Sequence, residues 1–259
     1  MNQEKRILVC EDSMEGIFSA VYDGWKECAG GCKVSIQTSF PVSMELFTYY
    51  REIATDQSKA GKVMRTILMR LGSEVYEQIC LAAASADEDR GTAIYYVLHR
   101  AFWGGRCEKR VMEALADPYV SRVAKLALCV KREYHHYFGF VRFREIGGRF
   151  LLAKIQPGND ILSLMALHFS NRFPNENWVI YDEKRKKALC HEKGKECVMR
   201  KEVRIQVPVS AVGDMGEYEE LWQTFCDSIS IEARRNEKLQ KQMLALHFRS
   251  NMPEFSVKG

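Results

Sequence analysis

Two histidines, two arginines and five aromatic residues occupy the stretch from Glu133 to Arg144. Side chains of a strand point alternately to its two faces, so a strand over residues 140–145 would place Phe140, Arg142 and Arg144 together. Two cations beside an aromatic ring suit a phosphate backbone and a stacked base. A solvated sheet face with extended arginines has the same pattern, so both interpretations stay open at this point.

A second group of chemically capable residues follows on a predicted helix. Steps of about 100° per residue place His168 and Arg172 on the apolar stripe of a helix that begins near Ile161. A buried guanidinium is costly without an acid or an anionic ligand, so Arg172 needs one of the two. The preceding helix also becomes polar on its inner face near its end. The residues that could converge on one pocket are Glu133, His135, Arg142, His168 and Arg172.

In such a pocket, Glu133, His135 and His168 would be candidates for general acid, general base or ligand. Arg172 would then hold an anion beside them. The alternative is an internal network in which Glu133 or Asp182 neutralises Arg172 and each histidine donates to a backbone carbonyl.

Metal and cofactor chemistry finds little support in the sequence. Adjacent His135 and His136 would diverge on a helix, which disfavours a metal site with Glu133 and His168. The cysteine spacings match no familiar zinc or iron–sulfur motif. A Ser-His-Asp order, a phosphate loop and a dinucleotide fingerprint are also missing. We therefore predict no bound metal and no cofactor.

Composition is that of a globular protein with an uneven charge distribution. The chain has 259 residues, 46% hydrophobic and 11% aromatic, which suits one large domain or two intimate ones. Residues 131–204 hold 16 Lys plus Arg against 9 Asp plus Glu, a net charge of +7, which leaves −3 for the rest. A basic middle is typical of a protein with an anionic partner, although a solvated basic face remains an alternative.

Targeting signals do not stand out. The start of the chain has no apolar signal-peptide core, and no apolar run approaches the length needed to span a bilayer. The nine cysteines are odd in number and lack the spacing of a disulfide framework, which fits a reducing compartment. We expect a cytoplasmic protein.

The first half of the chain is predicted to hold two strands and several helices. Residues 6–10 and 33–38 are predicted strands, and an Asp12-to-Glu15 capping box begins a helix between them. Helical periodicity over 59–103 predicts three helices. Asp117 followed by Pro118 is an N-cap signal for a helix that reaches about Tyr137.

The second half is predicted to be an antiparallel sheet. Two alternating runs, 140–145 and 149–155, flank a glycine pair and indicate a hairpin. A helix over 161–173 follows, ended by a proline. Residues 178–181 and 188–191 then indicate a second hairpin. Two hairpins with an intervening helix, packed with a helical block, predict an α+β fold.

The remainder of the chain completes a single compact domain in this prediction. A strand over 203–207 and two closing helices, 217–228 and 231–248, follow the sheet. The parts of the predicted domain are a strand, helix and helical block in 1–112, the helix with its basic core in 113–207, and the closing helices in 208–259.

Two further basic clusters could extend a phosphate track. The turn of the second hairpin carries Lys184 and Arg185 within a run of four cations, although such runs are usually just solvated. Arg234, Arg235 and Asn236 form the other cluster near the start of the last predicted helix. These side chains could grip a nucleic-acid backbone or pair with acids of the preceding helix.

Taken together, these motifs resemble an uncharacterised bacterial family, a domain of unknown function assigned to DNA metabolism or DNA repair. The resemblance implies a neighbouring radical-SAM protein that repairs or modifies DNA, and a similar domain occurs fused to uracil-DNA glycosylase-like domains. The residues that carry it are Asp12 to Gly16, Glu133 and His135, Gly139 to Phe143, His168 to Phe173, Trp178 to Arg185, Arg235-Asn236 and Met252-Pro253.

Residues and resemblance together predict a nucleic-acid-binding accessory protein that holds DNA for a radical-SAM enzyme. The predicted phosphate contacts are Arg142, Arg144, Arg172, Lys184, Arg185, Arg234 and Arg235, with Asn236 beside them, and the rings nominated for stacking are Phe140 and Trp178. Two alternatives stay open. One is a DNA-processing enzyme that uses Glu133, His135, His168 and Arg172, and the other is a protein-binding adaptor.

Overall fold

The computed structural model describes residues 5–28, 33–41, 43–102, 108–148 and 150–204, with 238, 244, 246–249 and 252. The chain divides into two compact units, Met1–Arg132 and Glu133–Gly259, called unit 1 and unit 2 below. The prediction of a single compact domain stays a prediction.

The sheet of unit 1 is fully parallel. Strand β1 (Lys5–Cys10) lies between β2 (Lys33–Gln37) and β3 (Thr48–Ile53), and it pairs in parallel with both. The first two strands confirm the sequence prediction. The third was missed, because half of its residues are exposed polar or aromatic side chains that show no simple alternation.

The helices of unit 1 share one hydrophobic core with this sheet. They are α1 (Met14–Cys28), α2 (Gln57–Leu71), α3 (Ser73–Ala83), α4 (Arg90–Phe102) and the first part of α5 (Pro118–Phe140), with a short three-ten helix at Val111–Glu113. Leu8, Ile36 and Ile53 from the strands meet Phe18 of α1 and Ile94 of α4 in the core. The predicted helices over 59–103 and after Asp117 are confirmed.

Local capping explains where the first helix begins. Ser13 is the N-cap of α1, because its Oγ accepts from Gly16 N at 3.0 Å. The prediction of Asp12 as the capping residue is wrong, since its carboxylate pairs with the buried guanidinium of Arg90 instead. Asp117 caps α5 as predicted, with Oδ1 accepting from Tyr119 N at 2.9 Å.

Unit 2 is built on a five-stranded mixed sheet. Its strands are β4 (Arg144–Ile146), β5 (Phe150–Ile155), β6 (Trp178–Asp182), β7 (Lys187–His191) and β8 (Val198–Arg200), in the order β4-β5-β6-β7-β8. The two predicted hairpins are present, yet β5 and β6 run parallel, so the prediction of a purely antiparallel sheet is wrong. Helix α6 (Leu162–Arg172) makes the crossover that a parallel pair requires.

The segment from Glu133 to Arg144 is helical for longer than predicted. Helix α5 continues through Phe140, and β4 begins only at Arg144. The predicted strand face of Phe140, Arg142 and Arg144 is therefore wrong, because these residues lie in a helix, a connecting segment and a strand. The sequence has no proline that would stop the helix near Tyr137.

The end of the chain is only partly described. Val203 and Arg204 are not in a strand, which corrects the start of the predicted strand over 203–207. Of the predicted closing helices, 217–228 lies outside the described residues. Within 231–248, Lys238 is helical, Leu244 lies in a bend, and a short helix α7 (Leu246–Arg249) follows. Of the helices that the structure describes, none combines the length and the apolarity needed to cross a bilayer.

Candidate functional site

The turn that joins β6 to β7 is fixed by a buried acid. Asp182 has no exposed surface, and its Oδ1 accepts from Lys184 N at 2.9 Å and from Arg185 N at 3.1 Å. An aspartate that bonds the backbone two and three residues later stabilises a tight turn. Lys186 completes the turn in the left-handed region with φ 55°. Asp182 therefore sets the positions of the lysines in this turn.

Arg185 connects the turn to the loop between β5 and α6. Its Nη1 donates to Asp182 Oδ2 at 3.2 Å and to Pro157 O at 3.0 Å, and its Nη2 donates to Gly158 O at 2.5 Å. With the side chain 17% exposed and its donors committed to protein acceptors, Arg185 is a structural residue. Its predicted contact with phosphate stays a prediction.

Glu133 holds the same loop from the other side. Its Oε1 accepts from Gly158 N at 2.7 Å, and its Oε2 accepts from Asn159 N at 3.0 Å and Asn159 Nδ2 at 2.5 Å. A Cβ on Gly158 would approach Glu133 Oε1 to 3.3 Å, so glycine permits this close contact. The geometry assigns Glu133 to positioning the loop, and its catalytic role stays a prediction.

The loop and the turn border an open cavity of about 710 Å³. Two carboxylates and two ammonium groups meet there. Glu183 Oε2 accepts from Gln156 Nε2 at 2.8 Å, so this acid is bonded within the cavity wall. The described residues that line the cavity are Glu133, Gln156, Pro157, Gly158, Glu183, Lys184 and Lys186.

Only Glu133 of the five residues predicted to share one pocket lines this cavity. Two helical steps from Glu133 to His135 turn the side chain by about 200°, so the two cannot face the same way. Arg142 bonds the backbone at the end of α5, where its Nη1 donates to Gly139 O at 2.8 Å and Val141 O at 3.4 Å. These donors satisfy carbonyls that a helix end leaves open.

His135 and His168 instead meet at one aromatic ring. The His168 ring stacks on Phe138 with centroids 3.9 Å apart, and His135 contacts the same ring edge-on at 5.8 Å. His168 Nε2 is buried and has no hydrogen-bond partner among the described residues. Burial lowers the pKa of His168, and the neighbouring charges of Arg172 and His135 lower it further.

His168 should therefore be neutral near pH 7 and resist protonation. Its pKa in the folded protein lies below the ordinary value of 6.5, so its contribution to stability is present above pH 6.5 and is lost as the pH falls through the folded pKa. An NMR titration of the six histidines, with His168 assigned from the spectrum of His168→Asn, checks this. A midpoint for His168 at or above 6.5 would contradict it.

Arg172 is exposed, which corrects its predicted place on the buried stripe of the helix. The buried residues of α6 are Leu162, Met165 and Phe169, whereas Arg172 is the last helical residue and lies over the Phe173 ring at 5.6 Å. A residue in the terminal turn has no further turn to bury it, so an ideal helical wheel overstates its burial. Its predicted contact with phosphate stays a prediction.

The two nominated stacking rings lie in different environments. Trp178 is 0% exposed and stacks on His191 with centroids 5.1 Å apart, so its assignment as a stacking platform for bases is wrong. Phe140 is half-buried and contacts His136 at 6.0 Å and Phe248 at 5.3 Å. Trp178 is a core residue of unit 2, and stacking by Phe140 stays a prediction.

Four exposed cations gather at one end of the sheet of unit 2. Lys184 and Lys186 lie in the turn after β6, while Arg200 and Arg204 belong to β8 and the segment after it. Ala188 pairs with Arg200 across β7 and β8, and Val203 N donates to Lys186 O at 2.9 Å, which brings the segments together. We call these four residues the basic end.

The basic end has no ion-pair partner within the part of the chain that the structure describes. Adjacent cations are neutralised, since Lys187 pairs with Asp160 and Arg185 with Asp182. Sequence reasoning missed Arg200 and Arg204, although both belong to the basic middle of the chain.

The other predicted residues are less informative. Arg144 is half-buried in β4, and its contact with phosphate stays a prediction. Arg234, Arg235 and Asn236 lie outside the described residues. Within the described ranges, no three His, Cys, Asp or Glu side chains gather as a metal site would require.

Comparison with known proteins adds one finding. The family model for a domain of unknown function, DUF4130, matches residues 88–254, which include all of the basic end. No curated protein and no solved structure matches the chain.

Proposed function

The chain belongs to the DUF4130 family, and because that family carries no assigned activity, we propose a function from the site itself. The protein is a nucleic-acid-binding accessory protein of DNA metabolism, and the basic end contacts the phosphate backbone. The observation that carries this proposal is the group of four exposed cations without an ion-pair partner in the described part of the chain.

The mutual repulsion of these four cations favours an anionic ligand. Like charges held together without a counter-charge repel one another, and an anionic ligand relieves that repulsion. Phosphates of a nucleic acid are regularly spaced anions, and lysine and arginine contact them without regard to sequence. Asp182 and Arg185 fix the turn, so Lys184 and Lys186 are presented in a defined arrangement.

The proposal includes a partner enzyme. The motif resemblance implies a radical-SAM protein that repairs or modifies DNA, and an accessory chain that binds backbone without sequence preference could hold DNA for it. Catalysis by the chain itself is not proposed, because Glu133 is bonded to its loop and lines a cavity that His135 and His168 do not line.

A salt titration of DNA binding tests the proposal. Four phosphate contacts on a duplex predict that log K falls with log salt with a slope of about −3.6. Replacing Lys184 and Lys186 with alanine should reduce the magnitude of that slope by about 2 and weaken binding roughly tenfold or more at low salt. Fluorescence anisotropy with labelled single- and double-stranded DNA measures both quantities.

The matched control removes two lysines from the other end of the sheet. Lys193 and Lys195 lie in the turn between β7 and β8, and Lys195 pairs with exposed Glu192. Alanine at both positions should leave affinity and slope nearly unchanged. Equal losses in the two double variants, or an affinity that hardly depends on salt, would remove the basis for DNA binding and favour a protein-binding adaptor.

A further inference from the structure

A second cavity lies in unit 1, among helices α1, α2 and α4. Its volume is about 350 Å³, within the general size range of small-molecule sites. Most of its wall is apolar, with Val63 from α2, Leu98 and Phe102 from α4, and Tyr22 and Trp25 from α1. Trp25 is 38% exposed, so an aromatic surface is accessible at this site.

Three lysines surround the Tyr22 ring. The Nζ atoms of Lys26, Lys59 and Lys62 lie 5.5, 6.0 and 5.7 Å from its centroid. Lys59 is neutralised, because its Nζ donates to both carboxylate oxygens of Asp23 at 2.9 and 2.8 Å. Lys26 and Lys62 line the cavity and are exposed, and neither pairs with an acid among the described residues.

We propose that this cavity binds a small amphiphilic anion, with a hydrocarbon or aromatic body and one carboxylate or sulfonate group. The apolar wall removes the body from water, which is the main favourable contribution. Lys26 and Lys62 take the anionic group, and its charge relieves their mutual repulsion around the Tyr22 ring. This site is separate from the basic end and does not depend on the proposed DNA binding.

The same wall disfavours a nucleotide, the other common aromatic anion. Nucleobase edges need hydrogen-bond partners, and burying them without partners is costly. The Thr66 hydroxyl in the cavity already donates to Lys62 O at 2.7 Å. The remaining described lining of the cavity is mainly hydrocarbon and aromatic. A ligand without polar ring edges therefore fits better.

Titration with anilinonaphthalene sulfonate, whose fluorescence rises in an apolar site, tests the proposal. We expect one saturable site on the full chain. The charge-reversing pair Lys26→Glu and Lys62→Glu should weaken binding about tenfold or more. The matched pair Lys109→Glu and Lys125→Glu changes two exposed lysines of unit 1 outside the cavity lining, and it should bind as the unchanged protein does.

Competition identifies the class of ligand. Decanoate should displace the probe, whereas decanol, with the same chain and no charge, should displace it far less well, and adenosine monophosphate should not displace it. Val63→Trp should fill the cavity and abolish binding, with circular dichroism as the check on folding. If that variant does not fold, Thr66→Trp at an exposed cavity position takes its place.

The proposal is overturned by any of four results. These are the absence of saturable probe binding, equal binding by the two charge-reversed pairs, unchanged binding after the cavity is filled, and displacement by the nucleotide but not by decanoate. None of these results bears on the salt titration of DNA binding, so the two proposals fail independently.

Discussion

Asp182→Ala is expected to destabilise unit 2 by about 3–5 kcal/mol, the range found when one partner of a buried ion pair is removed. The carboxylate is 0% exposed and accepts from two backbone N–H groups and from the Arg185 guanidinium. Alanine leaves these donors unsatisfied in a protein interior. Amide hydrogen exchange of β6 and β7 measures the effect, because it reports the free energy of opening of this unit.

Asp160→Ala is the matched control for Asp182→Ala. Asp160 also pairs with a cation next to the turn, Lys187, but its side chain is 32% exposed. This pair is partly buried, with Lys187 19% exposed, so its removal should cost clearly less stability than the loss of the fully buried Asp182. If Asp182→Ala and Asp160→Ala had equal effects, the turn would not depend on its buried acid.

Gly91→Ala is expected to destabilise unit 1 by about 2–3 kcal/mol, near the upper end of the usual cost of overpacking. A Cβ at this position would lie 2.7 Å from Ile36 Cγ2 and 2.9 Å from Ile36 O. Ile36 cannot easily move, since the Thr92 hydroxyl accepts from its N–H at 2.9 Å and donates to its carbonyl at 3.0 Å. Thermal unfolding and hydrogen exchange of β2 measure the loss.

Replacing a second helical glycine is expected to change the stability in the opposite direction. Gly61 in α2 has nothing within 4 Å of an added Cβ, so Gly61→Ala should stabilise the protein by about 1 kcal/mol through helix propensity alone. Comparing Gly91→Ala with Gly61→Ala thus separates the cost of overpacking from the gain in helix propensity. A stabilising effect of Gly91→Ala would show that α4 is free to move away from β2.

Local signals in the sequence predicted much of the fold. The Asp117 cap, the apolar run of β1 and the helical periods of α2 to α4 depend on neighbours along the chain, and their elements form as predicted. The parallel pairing of β5 with β6 could not be predicted in this way, because strand direction in a sheet depends on where α6 packs. The extension of α5 through Phe140 was also missed.

The candidate site was harder to predict than the fold. Glu133 was predicted to be catalytic and Arg185 to contact phosphate, whereas the structure shows both bonded to the loop after β5, a contact that no pattern in the sequence reveals. Trp178 was nominated as a ring for stacking, whereas its complete burial makes it a core residue. Arg200 and Arg204 could be recognised only from the structure, because the pairing of β7 with β8 and the bond from Val203 N to Lys186 O bring them beside the turn after β6.

The mixed pairing of the sheet in unit 2 has a consequence for the order of folding. The β4–β5 and β6–β7 pairs are hairpins of neighbouring residues, whereas β5 meets β6 only after the intervening α6 has been placed. Short chain closures occur before long ones, because closing a longer loop costs more entropy. We therefore expect the turn that carries Lys184 and Lys186 to form early. The hydrogen bonds from Glu133 and Arg185 to the loop after β5 should form in a later, slower phase.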